Sequence, residues 1–220
     1  SGYGDVLDVA YDPAGYIWLV IGNPGRIVKM RASDGGVELA SAAFASTCMR
    51  IVYHQSGQIW VGATNASVYQ CDLSGNLLNT HWLFAGHKGL CATDDYIFVV
   101  NAKVTRITVA TGVQVVTPWP TNSVNGYNAF DGTNVWNCPN QGGSTRVTKV
   151  NLSNTIIGQP VLGDLNAICY DGEYFWATDN WGSNLYKIDP ATDTVVKTVA
   201  VTGNTHYRCC STKRVLPWPG

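Results

Sequence analysis

The sequence predicts an all-β chain built from five copies of a unit of four short antiparallel strands. Two observations carry that expectation. An aromatic residue, set in a short apolar run behind a polar turn, returns at Trp18, Trp60, Phe98, Trp136 and Trp176. The separations are 42, 38, 38 and 40 residues, and a repeat of about 40 residues holding several short strands is the signature of a β-propeller blade. The composition agrees: 23 Gly, 8 Trp and 11 Tyr, with 13% charged residues, favour strands and tight turns over helices.

The units are read in order. The first places strands at Val6–Tyr11, Tyr16–Ile21, Arg26–Met30 and Val37–Ala40, with turns at Asp12-Pro13-Ala14-Gly15 and Gly22-Asn23-Pro24-Gly25. Gly, Pro, Asn and Asp mark the turns because they supply the unusual backbone angles or pre-set them. The second unit has Met49–Tyr53, Gln58–Ala63, Ser67–Cys71 and Leu77–Trp82, and the third Gly89–Ala92, Tyr96–Val100, Val104–Ile107 and Val113–Val116. The fourth has Tyr127–Phe130, Val135–Cys138, Arg146–Val150 and a weak Ile156–Pro160. The fifth runs from Leu165–Tyr170 through the aromatic strand around Trp176 to Leu185–Ile188 and Thr194–Val199. The blades are expected at about 6–43, 47–84, 88–118, 125–161 and 164–203, in one domain spanning 1–220. The tail, 204–220, reads as another inner strand at His206–Cys210, a turn, and the start of a second strand at Trp218, 42 residues after Trp176. It is expected to close a five-bladed ring, the alternative being the first part of a longer propeller.

A chain of 220 residues is long enough to bury a core without a metal or disulfide staple. A net charge of −1 does not favour binding nucleic acid, which calls for a basic face. No apolar run of about 18 residues is present, so no membrane span is expected. Ser1–Gly4 does not read as a signal peptide. The seven cysteines are odd in number and form no CxxC pair. They read as buried small apolar side chains rather than a zinc or redox framework, with a vicinal Cys209–Cys210 disulfide as the alternative.

Leu185-Tyr186-Lys187-Ile188-Asp189-Pro190-Ala191-Thr192, followed by a Val-rich strand, resembles the YVTN family of β-propellers. Asp12-Pro13-Ala14-Gly15-Tyr16-Ile17-Trp18 and Gln55-Ser56-Gly57-Gln58-Ile59-Trp60 resemble the NHL and streptogramin-lyase propellers. Phe130-Asp131-Gly132-Thr133-Asn134-Val135-Trp136 is similar to repeats of bacterial surface and phage tail proteins. The resemblance implies architecture. Propellers host lyases, lactonases, lectins and scaffolds, so it implies no single activity.

In such folds the loops entering the inner strand and those after the second strand share one face. On that face the sequence places His87, Tyr127, Asn140, Asn180, Trp181 and His206. Amides and aromatics together can hydrogen-bond hydroxyls and stack on sugar rings. This predicts a non-enzymatic module that binds a glycan or protein ligand, on the surface of a cell or virion, without cofactor or metal. Two alternatives stand beside it. One is a metal-dependent lyase or lactonase with His87 or His206 as general base. The other is an architectural propeller that joins its neighbours in an assembly. Asp12, Asp94, Asp95, Asp131 and Asp171 recur at turns and read as turn caps rather than calcium ligands. The anchors Trp18, Trp60, Phe98, Trp136 and Trp176 read as core between blades, whereas Trp82, Trp119 and Trp218 fall outside that register and are candidates for partner contact or for sealing the ring.

Overall fold

The computed structural model describes residues 4–83, 89–100, 103–117, 126–138, 146–163, 165–179 and 183–201. Its strands form five four-stranded antiparallel sheets, each a blade of a β-propeller fold. The chain divides into two compact units, 1–115 and 116–220.

The first unit holds two whole blades and nearly all of a third. Blade 1 is β1 (Val6–Asp12), β2 (Tyr16–Ile21), β3 (Arg26–Arg31) and β4 (Val37–Ala40). Blade 2 is β5 (Cys48–His54), β6 (Gln58–Ala63), β7 (Ser67–Asp72) and β8 (Leu77–Trp82). Blade 3 is β9 (Gly89–Ala92), β10 (Tyr96–Val100), β11 (Val104–Thr108) and β12 (Gln114–Thr117). The second unit holds blade 4, with β13 (Asn128–Phe130), β14 (Asn134–Asn137), β15 (Thr148–Asn151) and β16 (Ile156–Gly158). Blade 5 is β17 (Leu165–Tyr170), β18 (Phe175–Asp179), β19 (Asn184–Asp189) and β20 (Thr194–Ala200). The expected strands are present to within about two residues at each end, which is the ordinary scatter of strand boundaries. The tail, 204–220, lies outside the described residues.

Cross-strand register decides which side chains share a face. In blade 1, Ala10, Trp18, Lys29 and Leu39 align across the four strands. Trp18 packs with Cys48, Ile51 and Ile59 of blade 2. In blade 2, Val52 aligns with Trp60 and packs with Leu90 and Ile97 of blade 3. In blade 4, Ala129 aligns with Trp136, which tilts against Phe175 of blade 5 with ring centroids 4.7 Å apart. In blades 1, 2 and 4 the anchor aromatic therefore marks the face turned toward the next blade. Trp18, Trp60, Phe98 and Trp136 are wholly buried, as a core aromatic should be. Trp176 departs from the expectation: it is half-buried, because its face is the one directed away from blade 4.

A hydrogen bond recurs with the anchor. Asp131 Oδ1 accepts the backbone N–H groups of Thr133 and Asn134, while its Oδ2 accepts the Trp136 indole N–H at 2.8 Å. Asp171 treats Glu173, Tyr174 and the Trp176 indole alike, the last at 2.7 Å. Asp12 accepts from Ala14 N–H and, more distantly, from the Trp18 indole at 3.4 Å. These aspartates cap turns, as the sequence reading expected. A lysine covers each anchored indole from the paired position on the third strand: Lys29 on Trp18, Lys149 on Trp136 and Lys187 on Trp176. A carboxylate at the N–H edge and a cation over the ring face suit both poles of the indole.

Blades 2 and 3 change the set together. In blade 3 the anchor is Phe98, which has no N–H, and Thr93 replaces the aspartate as turn cap by accepting Tyr96 N–H. In blade 2 the aspartate position holds His54, and the Trp60 indole N–H has no acceptor. Trp60 and Trp136 are equally buried, but only Trp136 donates to a carboxylate. A charge-assisted hydrogen bond contributes about 1.5–3 kcal/mol. Trp136→Phe is therefore expected to cost about 1–2 kcal/mol more than Trp60→Phe in urea denaturation. Equal losses would show that the indole–carboxylate bond contributes nothing.

Candidate functional site

The start of each inner strand pairs with the end of the second strand, as Val6 does with Ile21 and Cys48 with Ala63. The loops entering the blade and those following its second strand therefore lie at one end. In the first unit this end is described around blades 1 and 2. Gly25 is required there: a Cβ would fall 2.0 Å from the Ser46 carbonyl oxygen. Phe44 N–H donates to Gly25 O at 2.7 Å and draws the crossover 41–47 over the blade 1 loop. The Phe44 ring stacks on Tyr69 at 4.6 Å. Ser46 Oγ and Thr64 Oγ1 lie 3.0 Å apart, and Thr64 N–H donates to Thr47 O, so the crossover is tied to the blade 2 loop.

Asn65 closes that loop by accepting Ser67 N–H, as a turn asparagine does. Directly across from Ser67 on the outer strand stands Trp82, which is 66% exposed. Leu83 N–H donates to Ala66 O and pins the residue after Trp82 to the same loop. A large exposed indole thus stands at the loop end of a rigid sheet, across from the end of the loop that carries the exposed Thr64 and Asn65. An aromatic platform flanked by hydroxyl and amide groups can stack on a ring and hydrogen-bond its substituents.

The residues singled out from sequence are distributed differently. Tyr127 precedes β13, is half-buried, and packs against the core between blades 4 and 5. Its carbonyl accepts Cys138 N–H at 2.8 Å. His87, Asn140, Asn180, Trp181 and His206 lie outside the described residues, as do Trp119 and Trp218. Trp82 was legible as an aromatic out of register. Its neighbours Thr64 and Asn65 became a site only through the cross-strand pairing.

Polar groups elsewhere in the blades are committed to structure. His54 is buried, accepts Ser56 N–H at Nδ1, and reaches the Asp94 carbonyl of blade 3 through Nε2 at 3.0 Å. Gln55 Nε2 donates to the Asp94 carboxylate beside it. His81, on the outer strand β8, is buried there: it stacks on Trp60 at 5.1 Å and donates from Nε2 to Gln70 Oε1. Burial holds both imidazoles below their ordinary pKa, although at His54 the carbonyls of Asp94 and Thr93 pull the other way. In unit 2, burial alone would raise the Asp171 carboxyl. Hydrogen bonds from Tyr174 N–H, the Trp176 indole and Glu173 N–H, with Lys187 nearby, bring it below its usual value. Among the described residues no group of three or more His, Cys, Asp or Glu is placed to hold a metal ion, and no helix is long and apolar enough to cross a membrane.

Cysteine use matches the expectation at Cys48, Cys71, Cys91 and Cys138, which are free and buried. Burial pushes Cys48 and Cys71 up to about 12. Cys169 differs, because it is disulfide-bonded.

No protein-family model matches the chain, and no curated protein matches it. Solved structures do match. Virginiamycin B lyase from Staphylococcus aureus aligns with a TM-score of 0.77 at 14% identity, over 92% of this chain and 72% of the other. A streptogramin B lyase gives 0.76 at 13%, over 90% and 69%. The fold is a streptogramin-lyase-like propeller. A nidogen/laminin complex also aligns, at 0.72 and 12% identity over 90% of this chain and 81% of the other. The likeness therefore joins an enzyme and a binding assembly, and at these identities it speaks for fold alone.

The buried histidines set a pH response. With folded pKa values below the unfolded value of about 6.5, the unfolded chain binds more protons in that range. Stability is then present above pH 6.5 and lost as pH falls from there through the folded values. Thermal midpoints should drop by about 2–4 °C per kcal/mol lost. The drop between pH 7 and 5 is expected to shrink in a His54→Gln, His81→Gln variant. An unchanged slope would assign the effect to other groups.

Proposed function

We propose that this chain is a non-enzymatic recognition module. It binds a carbohydrate or protein ligand through the loop end of its blades, in a cell-surface or phage tail-type protein. The observation that carries the reading is Trp82, exposed at the loop end of a rigid sheet that also carries the exposed Thr64 and Asn65. An indole in water at that position costs solubility and contributes nothing to packing, whereas in a binding site it supplies a large apolar surface at small entropic cost. The loop residues His87, Tyr127, Asn140, Asn180, Trp181 and His206 belong to the same reading as further ligand contacts. Turn carboxylates and the two described histidines are engaged in structural hydrogen bonds, which favours binding over acid–base chemistry in this part of the chain.

A metal-dependent lyase is the second reading, favoured by the likeness to virginiamycin B lyase. It would draw its base from His87 or His206. A glycan array probed with the full chain and with Trp82→Ala separates the two. Recognition predicts glycan binding reduced at least tenfold in the variant, with the thermal midpoint unchanged. Binding that survives in Trp82→Ala would move the site to the other loops. No glycan binding, together with EDTA-sensitive turnover of a cyclic ester, would overturn the recognition reading in favour of the enzyme.

A further inference from the structure

One face of blade 2 carries the exposed indole, and its chemistry narrows what the indole can hold. Tyr69 packs there into the core shared with Trp18 of blade 1, and the Phe44 ring stacks on it. Thr80 pairs with Tyr69, and Trp82 pairs with Ser67. Paired residues, and alternate residues along a strand, share a face. Ser67, Tyr69, Thr80 and Trp82 therefore all lie on the face directed toward blade 1. Thr80 stands two residues from Trp82, about 7 Å along the strand, so a ring stacked on the indole can present its hydroxyls to the threonine.

The charge of the surface comes first. Segments 41–49, 62–71 and 77–83 build the crossover, the blade 2 loop with its third strand, and the outer strand, and they hold no Asp, Glu, Lys or Arg. Their histidine, His81, is buried on the opposite face against Trp60. Their other hydrogen-bonding side chains are mainly hydroxyls and amides. A ligand carboxylate or sulfate brought here would lose water and gain no cation from these segments in return. A sugar hydroxyl suffers no such loss. The Ser46 and Thr64 hydroxyls share one bond of 3.0 Å, in which only one of them donates. The O–H of the other is left over from that bond for an acceptor.

Area comes second. Leu77 and Leu78 are the other exposed apolar residues of β8, and they lie five and four residues from Trp82. That is roughly 13–17 Å along the strand, so Trp82 stands apart from them. One indole offers about 150–250 Å², against the ~800 Å² that each partner gives to a stable protein interface. It falls far short of that, but it matches the face of a single sugar ring.

We propose that the ligand of this face is an uncharged glycan, one pyranose ring of which stacks on Trp82 while a ring hydroxyl bonds to Thr80. The inference rests on the recognition reading above and narrows it. Sialylated, uronic and sulfated glycans fall outside it, and so does a protein partner.

The test is an array of neutral and anionic glycans probed with the full chain, followed by titration of the best-bound glycan at about 50 and 500 mM NaCl. Neutral glycans should bind, with an affinity that changes less than about twofold between the two salt concentrations. Trp82→Ala should weaken binding at least about tenfold with the thermal midpoint unchanged, whereas Trp82→Phe, which keeps a ring, should lose about threefold or less. Binding confined to sialylated or sulfated glycans would overturn the uncharged ligand and leave recognition by this chain standing. A loss of about tenfold or more at the higher salt would do the same. Neutral-glycan binding untouched by Trp82→Ala would overturn the placement on this face. An array with no bound glycan would overturn the inference together with the carbohydrate reading, in favour of a protein partner.

Discussion

The architecture depends on burying a large aromatic between successive blades without stranding its polar atom. A tryptophan offers much apolar area but brings an N–H that cannot be left unpaired cheaply. Blades 4 and 5 solve this with a turn aspartate that uses one oxygen on the backbone and the other on the indole. The turn, the second strand and the blade interface are thus held by one side chain. Blade 3 drops the N–H and the carboxylate together. Blade 2 keeps the indole without an acceptor and lets its histidine bond to the next blade instead. These substitutions within one chain form a natural series on a single interaction.

The strand pattern was legible because blade strands are short, alternate, and end at turns that Gly, Pro, Asn and Asp announce. The repeat of the anchor then gave the number of blades. What alternation could not show was which face each anchor serves, so Trp176 was expected in a core that its direction denies it. His81 does lie on an outer strand, and its position opposite Val68 turns it inward onto Trp60, a direction that alternation alone did not reveal. Cys169 looked like any small buried residue, since a disulfide leaves no local trace in the sequence around it.

The candidate site was partly visible. Trp82 stood out of register in the sequence, and the fold exposes it. Thr64 and Asn65 gave no sign beyond turn chemistry until pairing with Ser67 set Trp82 at the same end of the sheet as their loop. Tyr127 was chosen for its loop position, and packing against the blade 4–5 core engages one side of it. The loop end combines rigidity, from the Ser46–Thr64 and Phe44–Tyr69 contacts, with an exposed aromatic surface. That combination serves binding well, because little order has to be imposed when a ligand arrives.

The central claim is that the aspartate and the indole stabilise the blade as a pair. A double-mutant cycle on Asp131→Ala and Trp136→Phe, followed by urea denaturation, measures that coupling directly. The account predicts a coupling energy of about 1–2 kcal/mol. Strict additivity of the two losses would contradict it and reduce the aspartate to a turn cap.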